Sequence, residues 1–290
     1  MNISIVILHY VAMDETEKCV ESILNQEKYC NQNINIIIVD NASPNKTGEQ
    51  LKNKYKNIHN IHIICSKTNM GFAKGNNLGY EYALKNNNPD IVILSNNDIQ
   101  IIQKNFFDLL ASAYKKTNFG VCGPDIYLPK KKIHQNPLTM IEFDKRGIKR
   151  LILEYRVKLL IFKILKITHL YIILKKIKTN VNIQSNTNWK NMSEGIGLHG
   201  AFLILGKSYI NAFPKGLYDK TFMYLEEAIL YYQCKKKKIR MIYDPNISVV
   251  HNEGIATLQI NGENVDKSIF EFRTTIESAK IFLNLMENKD

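Results

Sequence analysis

The amino-acid sequence predicts an α/β protein whose central sheet is mostly parallel and flanked by helices. Short apolar runs rich in Ile and Val alternate with segments of helical periodicity through the first hundred residues. The apolar runs are nearly continuous, which is typical of parallel strands that are buried on both faces. Ligands of such sheets bind at the carboxyl ends of the strands, so we expect a functional site at that edge.

The predicted elements follow one another in a regular order. Strands are expected at residues 3–9, 34–39, 61–65 and 90–94, and helices at residues 14–26, 47–56 and 73–85. Mixed strand and helix patterns resume from Gly200, and a last helix is expected at residues 268–287. Between these two parts, the composition changes sharply to Lys, Ile and Leu.

Length and composition limit the functional classes. The 290 residues are 45% hydrophobic and 23% charged, as in ordinary globular proteins, and no uncharged apolar run is long enough to span a bilayer. The five cysteines are scattered, which argues against a disulfide framework or a zinc site and favours a reducing cytoplasm. A formal net charge of +12 attracts anionic partners. The single Trp, without a stripe of interleaved Arg and aromatic residues, argues against a nucleic-acid partner.

A carboxylate follows the fourth predicted strand. Asp98 comes after an apolar run and two amides, Asn96 and Asn97. One interpretation is a site for Mg²⁺ or Mn²⁺, which prefer oxygen ligands and often take only one or two carboxylates. The alternative is a turn, where Asn and Asp are common. His251 follows another strand-like run and either binds a metal or phosphate or has a structural role.

Polar residues also follow the first two strands. His9 and Tyr10 end the first strand, and Asp40 ends the second. The carboxylate of Asp40 either accepts hydrogen bonds from a base or ribose, or forms a helix cap or an Asx turn before the next helix. The glycine-rich segment 69–79 can present backbone N–H groups and Lys74 to a diphosphate, although glycines also serve tight turns and close helix packing.

Two adjacent acids, Glu226 and Glu227, lie at a predicted helix start in apolar surroundings. Burial and mutual repulsion raise the pKa of one of two such carboxyl groups, which suits a general base. The alternative is a favourable interaction between acids and the N-terminal end of the helix dipole.

Taken in order, these segments resemble the family 2 glycosyltransferases of the GT-A fold, particularly bacterial members that build capsular and lipopolysaccharide sugars. The resemblance spans roughly residues 3–257, and the basic segment is its least typical part. It rests on Val39–Ser43, Asn69–Asn77, Leu94–Asp98, Gly200–Phe202, Thr221–Glu227 and His251–Glu253.

The resemblance implies an inverting transfer of a hexose or deoxyhexose from a UDP- or dTDP-sugar to a glycan acceptor in surface polysaccharide synthesis. Asp98 would be the last acid of the family's DxD-type metal motif and would hold Mn²⁺ or Mg²⁺ near His251. Asn96 stands at the first position of that motif in place of Asp. Glu227 would be the catalytic base, and Glu226 would orient the acceptor or a nearby loop. Asp40 would contact the nucleobase. The expected nucleotide-sugar site as a whole comprises His9, Tyr10, Asp40, Asn69, Gly71, Phe72, Lys74, Asn76 and Asn97.

The basic segment, residues 149–178, contains nine Lys or Arg residues and one acid, Glu154. Lys149, Arg156 and Lys163 recur every seven residues, roughly on one helical face. A basic amphipathic helix binds anionic membrane surfaces, which would suit a lipid-linked acceptor. The alternative is a pair of helices packed on the catalytic domain with solvated lysines.

We therefore expect three regions. Residues 1–140 would form the nucleotide-sugar-binding half, residues 141–190 a basic helical insertion, and residues 191–290 the acceptor-side half and C-terminal helix of the same domain.

The expected location is the cytoplasm, with peripheral attachment to the inner face of the cytoplasmic membrane as a further possibility. The alternative functions are a nucleotidyltransferase or nucleotide-sugar hydrolase on the same fold, and a non-catalytic basic membrane-binding protein. Glu226 and Glu227 lie far from Asp98 in the sequence, which favours a separate base for an acceptor. A separate base in turn favours a transferase over the other two enzymes.

Overall fold

The architecture comes from a computed structural model that describes residues 1–27, 31–138, 142–168, 188–252 and 264–287. The helices in these ranges are α1 (Met13–Glu27), α2 (Thr47–Tyr55), α3 (Gly71–Asn87), α4 (Phe106–Thr117), α5 (Lys145–Ile167), α6 (Lys207–Ala212), α7 (Glu226–Lys236) and α8 (Asn264–Met286). The strands are β1 (Asn2–His9), β2 (Asn33–Asp40), β3 (Ile61–Cys65), β4 (Ile91–Asn96), β5 (Ile99–Gln100), β6 (Val121–Leu128), β7 (Ile133–His134), β8 (Ser193–Glu194), β9 (Phe202–Gly206) and β10 (Met241–His251).

These strands form one sheet in the order β3-β2-β1-β4-β9-β6-β10-β5, with β7 on β6 and β8 on β10. Strands β1 to β4, β6 and β10 run in the same direction, and β9 runs antiparallel between β4 and β6. Helices flank this mostly parallel sheet, so the predicted α/β class is confirmed.

The first half follows its hydrophobic pattern closely. Ile3, Ile5 and Ile7 of β1 are fully buried on one side of the sheet, and Val6 is fully buried on the other. Helix α3 approaches the sheet closely at Gly79, where a Cβ would lie 2.4 Å from a methyl group of Val6. A bare backbone at this position lets the helix pack directly on β1 and β2.

The second half differs from a simple βα repeat. Helices α5 and α8 pack against each other, and their apolar residues also contact α7 through Ala228 and Ile229. Buried Ile148 and Phe282 join this cluster from α5 and α8. Residues 169–178 of the basic segment lie outside the described ranges. Among the helices that are described, none combines the length and apolar character needed to cross a membrane.

Truncation of Ile93 tests the contribution of the central strands. Ile93 lies on β4 between β1 and β9 and is fully buried, so we expect Ile93→Ala to lower the free energy of unfolding by about 2–5 kcal/mol. Ile102 is 66% exposed, and Ile102→Ala should change this free energy by less than about 0.5 kcal/mol. Urea denaturation measures both, and equal effects would contradict the assigned core.

Candidate active site

The backbone at residues 199–202 connects several parts of the site. Ser95 of β4 pairs with Phe202 of β9, and the Asn96 N–H donates to the carbonyl of Ala201 over 2.9 Å. The Ala201 N–H donates to Nδ1 of His199 over 3.1 Å. The carboxyl end of β4 and the start of β9 are therefore held together at the edge of the sheet where the sequence predicts a site.

The acid pair meets the same segment. Oε1 of Glu227 accepts a hydrogen bond from the Gly200 N–H over 3.2 Å. A Cβ at Gly200 would lie 3.0 Å from this oxygen, so the glycine leaves room for the carboxylate. Tyr224 and Leu225, directly before α7, adopt φ angles of +73° and +68°. Non-glycine residues in this region are strained by about 1–3 kcal/mol each, and such strain clusters at functional sites.

The two acids have different surroundings. Oε1 of Glu226 is buried and accepts no hydrogen bond from any residue that the structure describes. Burial, followed by repulsion from Glu227, raises the pKa of Glu226 to about 8. Glu226 is therefore largely protonated at neutral pH and cannot take up a proton there, which favours Glu227 as the base.

Asp98 and His251 form a second polar pair. Oδ1 of Asp98 lies 3.2 Å from Nε2 of His251, and both side chains are largely buried. Nδ1 of His251 lies 2.7 Å from Oε1 of Gln135. An amide oxygen only accepts hydrogen bonds, so Nδ1 donates and Nε2 faces the carboxylate.

The Asp98–His251 pair offers one carboxylate oxygen and one imidazole nitrogen to a cation. Mg²⁺ prefers oxygen ligands, so Asp98 is the group that would suit it, whereas the imidazole suits transition metals better. Gln135 orients the imidazole in the way that outer hydrogen bonds orient metal-binding histidines. No group of three or more His, Cys, Asp or Glu residues suited to a metal occurs within the described ranges, so substrate phosphates and water would complete the coordination. Glu253, from the resemblance, lies outside those ranges.

A buried asparagine shapes the glycine-rich turn. Nδ2 of Asn41 donates to Oδ1 of Asn69 over 3.1 Å and to the carbonyl of Gly71 over 3.0 Å, while its Oδ1 accepts from the Met70 N–H. Gly71 has a φ of +78°, and a Cβ there would lie 1.9 Å from the carbonyl oxygen of Phe222. The turn therefore lies against the segment that leads to the acid pair.

Five predicted nucleotide-site residues differ in their exposure. Asn69 and Lys74 are exposed, Tyr10 and Phe72 are half-buried, and Gly71 is buried. All of these residues except Gly71 therefore have atoms that a ligand can reach. Asn41 was not among the predicted site residues, although it directly follows Asp40 and belongs to the same motif.

Asp40 is mostly buried in a turn. Its Oδ1 accepts hydrogen bonds from the N–H and hydroxyl of Ser43, over 3.2 Å and 2.5 Å. A Cβ at Gly48 would lie 2.2 Å from its Oδ2, so the carboxylate packs against the start of α2. This geometry matches the turn interpretation of Asp40, with 8% of its side chain exposed.

His9 and Asn97 are buried and bind other residues of the protein. His9 is fully buried, with Nδ1 2.7 Å from the hydroxyl of Thr16 and Nε2 2.8 Å from that of Thr47. Burial lowers the pKa of His9 to about 4. Nδ2 of Asn97 donates to Thr16 and to the carbonyl of Ala12. Both side chains bind the helix starts behind the cleft, because polar groups buried there need partners. Their observed contacts are structural, and their contact with a nucleotide stays a prediction.

Asn76 also turns inward. Its Nδ2 donates to the Phe72 carbonyl within α3, over 3.0 Å, and the residue is 1% exposed. Oδ1 of Asn76 is buried and accepts no hydrogen bond from the described residues. Asn76 therefore supports the first turn of α3 and does not reach its surface.

Comparison with known proteins decides the family. The sequence profile described as Glycosyl transferase family 2 matches residues 4–174. The chain belongs to this family. The dTDP-rhamnosyl transferase RfbF of Shigella flexneri is 29% identical over 118 residues, which cover 41% of this chain and 37% of that protein. The low-salt glycan biosynthesis hexosyltransferase Agl10 of Haloferax volcanii is 27% identical over 125 residues, 43% of this chain and 36% of that protein. The matches thus span little more than a third of these relatives.

Solved structures confirm the GT-A fold of this family 2 member. S. aureus TarS 1-349 in complex with UDP-GlcNAc has a TM-score of 0.53 and 13% identity, with 96% of this chain and 66% of that chain covered. The complex of the same protein with UDP has a TM-score of 0.51 and 12% identity, with 94% and 70% covered. At such identity the likeness concerns the fold alone.

Replacement of Glu226 tests its protonation. A carboxyl whose pKa is raised on folding loses stabilising free energy as the pH rises from about 4.5 to about 8. We expect Glu226→Gln to match the wild type near pH 4 and to be more stable by a few kcal/mol above pH 8. Glu81→Gln, on the exposed surface of α3, is the matched control. Thermal denaturation across this range measures the trend, and a constant difference would contradict the buried, protonated acid.

Proposed function

We propose that this family 2 glycosyltransferase transfers a hexose or deoxyhexose from a UDP- or dTDP-sugar to a glycan acceptor, with inversion at the anomeric carbon. The observation that carries the proposal is that Glu227 and the segment bearing Asp98 both hydrogen-bond to the backbone directly before β9. Glu227 binds the Gly200 N–H, and the Asp98 segment is bonded to Ala201 through Asn96. A carboxylate suited to proton removal and a pair suited to cation binding therefore lie around the same backbone.

The residues divide the reaction as follows. Glu227 removes the proton from the acceptor hydroxyl while that oxygen forms a bond to the anomeric carbon and the bond to the diphosphate breaks. Glu226, protonated at neutral pH, donates a hydrogen bond that orients the acceptor or the loop before α7. Asp98 and His251 would hold a divalent cation. Such a cation would neutralise the negative charge that develops on the diphosphate.

The nucleotide would bind along the carboxyl ends of β1 and β2. An opening of about 320 Å³ lies there between the starts of α1 and α2, and Val11, Asp14 and Thr47 are among the residues that line it. The exposed ammonium group of Lys74 and the backbone at Asn69 supply positive potential for the diphosphate. We assign the nucleobase contact to Asp40, through the small exposed part of its side chain.

The names of the similar proteins support the choice of donor. RfbF is a dTDP-rhamnosyl transferase, and TarS binds UDP and UDP-GlcNAc. We extend this to a lipid-linked glycan acceptor, to surface polysaccharide synthesis, and to action at the cytoplasmic face of the membrane. The division into a donor half, a basic insertion and an acceptor half is part of the same proposal.

Thermal stability with nucleotides tests the donor and the cation together. A ligand that binds only the folded protein raises the midpoint, by about 2.7 kcal/mol of stability at a hundredfold excess over Kd. We expect UDP or dTDP to raise it by several degrees with Mn²⁺, and GDP and CMP to have little effect. Asp98→Ala should abolish the Mn²⁺-dependent part of the shift.

Asp108→Ala on α4 is the matched control, because among the described residues the Asp108 carboxylate accepts its hydrogen bonds from Asn31 and Gln32, away from Asp98 in the fold. It should retain the full shift. The absence of a shift with every nucleotide would contradict the transferase and favour a non-catalytic protein. An undiminished Mn²⁺ effect in Asp98→Ala would contradict the cation site.

A further inference from the structure

Helix α5 has apolar residues on two opposite faces. Its inner face packs on α7 and α8 through residues such as Ile148 and Ile152, which are 0% and 8% exposed. Its outer face carries six large apolar side chains that are 47–79% exposed. We call these residues the outer stripe: Leu153, Val157, Leu160, Ile161, Ile164 and Ile167.

The outer stripe is continuous along the helix. Its members lie at i, i+4, i+7, i+8, i+11 and i+14, which places them along one side of an α-helix. Monomeric proteins in water seldom expose contiguous apolar patches of this kind, and such patches mark contact with a protein or a membrane. The outer stripe therefore has the character of a contact surface.

The charge of α5 indicates what that surface is. The helix contains eight Lys or Arg residues and one acid, Glu154, which pairs with Lys158 on the helix itself. Arg156 and Lys163 border the stripe on one side, since they lie three or four residues from its members. A second copy of the same helix would bring like charges together, whereas an anionic surface would neutralise them.

A basic pocket lies beside the stripe. An opening of about 400 Å³ between α5 and α8 is lined by Lys163, Lys166, Asp266, Ile269, Phe270 and Arg273. Lys166 pairs with Asp266, so three cations face one acid and the pocket has a net positive charge. Apolar side chains next to cations suit a phosphate headgroup whose acyl chains continue into a membrane.

We propose that the outer stripe and the basic pocket dock on an anionic lipid bilayer. Helix α5, about 35 Å long, lies along the membrane surface with the stripe inserted among the acyl chains and the cations at the phosphates. The inner face of α5 contacts Ala228 and Ile229 of α7, in the helix whose first turn carries Glu226 and Glu227. If the proposed function holds, the acceptor base is thereby held near the membrane, where a lipid-linked acceptor would reside.

Vesicle co-sedimentation of the full chain tests this proposal without any nucleotide. Vesicles of phosphatidylcholine with 30% phosphatidylglycerol are compared with pure phosphatidylcholine at about physiological salt. We expect binding to the anionic vesicles only. Leu160→Glu with Ile164→Glu should weaken that binding at least tenfold, because two charges would enter the acyl region. The matched control is Ile102→Glu with Leu109→Glu, two exposed apolar residues outside α5, which should bind like the wild type.

Substitution of cations measures the electrostatic contribution to membrane binding. Arg156→Gln with Lys163→Gln should weaken binding roughly twentyfold, since each cation near an anionic surface contributes about a fivefold factor. Lys115→Gln with Lys116→Gln, an exposed pair on α4, is the control and should retain most of the affinity. Thermal denaturation of each variant confirms that it is folded.

Three results would overturn the proposal: equal binding to both kinds of vesicle, no binding at all, or equal losses in the α5 variants and their controls. Sedimentation velocity adds a further outcome. A wild-type dimer that Leu160→Glu with Ile164→Glu dissociates, without vesicle binding, would make the stripe an interface between copies of this chain. Nucleotide-dependent thermal shifts are read separately, so failure of membrane binding leaves the transferase proposal intact.

Discussion

The segment 199–201, which leads directly into β9, is the constraint on which the site depends. Its backbone donates to Glu227 at Gly200 and bonds to β4 at Ala201, while the His199 N–H donates to the buried Asn136 over 2.7 Å. Buried backbone groups need hydrogen-bond partners, so moving any one of these contacts would leave another group unsatisfied. One short antiparallel strand thereby fixes the acid pair relative to the strand end that bears Asp98.

The charges around this strand suit an anionic substrate. Glu226 is neutral near pH 7 because burial and Glu227 raise its pKa, which limits the negative charge of the acid pair. Nε2 of His251 lies 3.2 Å from Oδ1 of the Asp98 carboxylate. A diphosphate with its metal ion would enter a site whose own negative charges are already partly compensated. The basic surface of α5 adds a long-range attraction for anionic partners.

Much of the first half could be predicted from the sequence, and the reason is local. Buried parallel strands need near-continuous Ile and Val runs, so β1 to β4 were recognisable, as were the strand ends at Asp40 and Asp98. The direction in which a strand-end side chain points was not. His9 and Asn97 turn inward to Thr16, a partner that only the packing of α1 against the sheet brings into reach.

Long-range contacts set the remaining limits. Gln135 orients His251 from 116 residues away, and no pattern around either residue indicates the pairing. The position of β9 between β4 and β6 likewise depends on tertiary packing. For α5, the seven-residue spacing of cations predicted a basic face, whereas the exposed stripe emerged only when α8 was seen to cover the opposite side. Apolar residues on both faces conceal the amphipathic pattern in the sequence.

The most direct test of the central claim compares two matched substitutions, Glu227→Gln and Glu226→Gln, in sugar transfer. The release of nucleoside diphosphate from UDP- and dTDP-sugars is measured with a bacterial lipid extract as the source of acceptor, and nucleotide binding is checked for each variant. We predict that Glu227→Gln lowers kcat by about a hundredfold or more with nucleotide binding unchanged, as expected for loss of a general base. Glu226→Gln, which keeps a neutral hydrogen-bonding group, should stay within about tenfold of the wild type. The reverse order of the two losses, or full activity in Glu227→Gln, would contradict the assignment of the base.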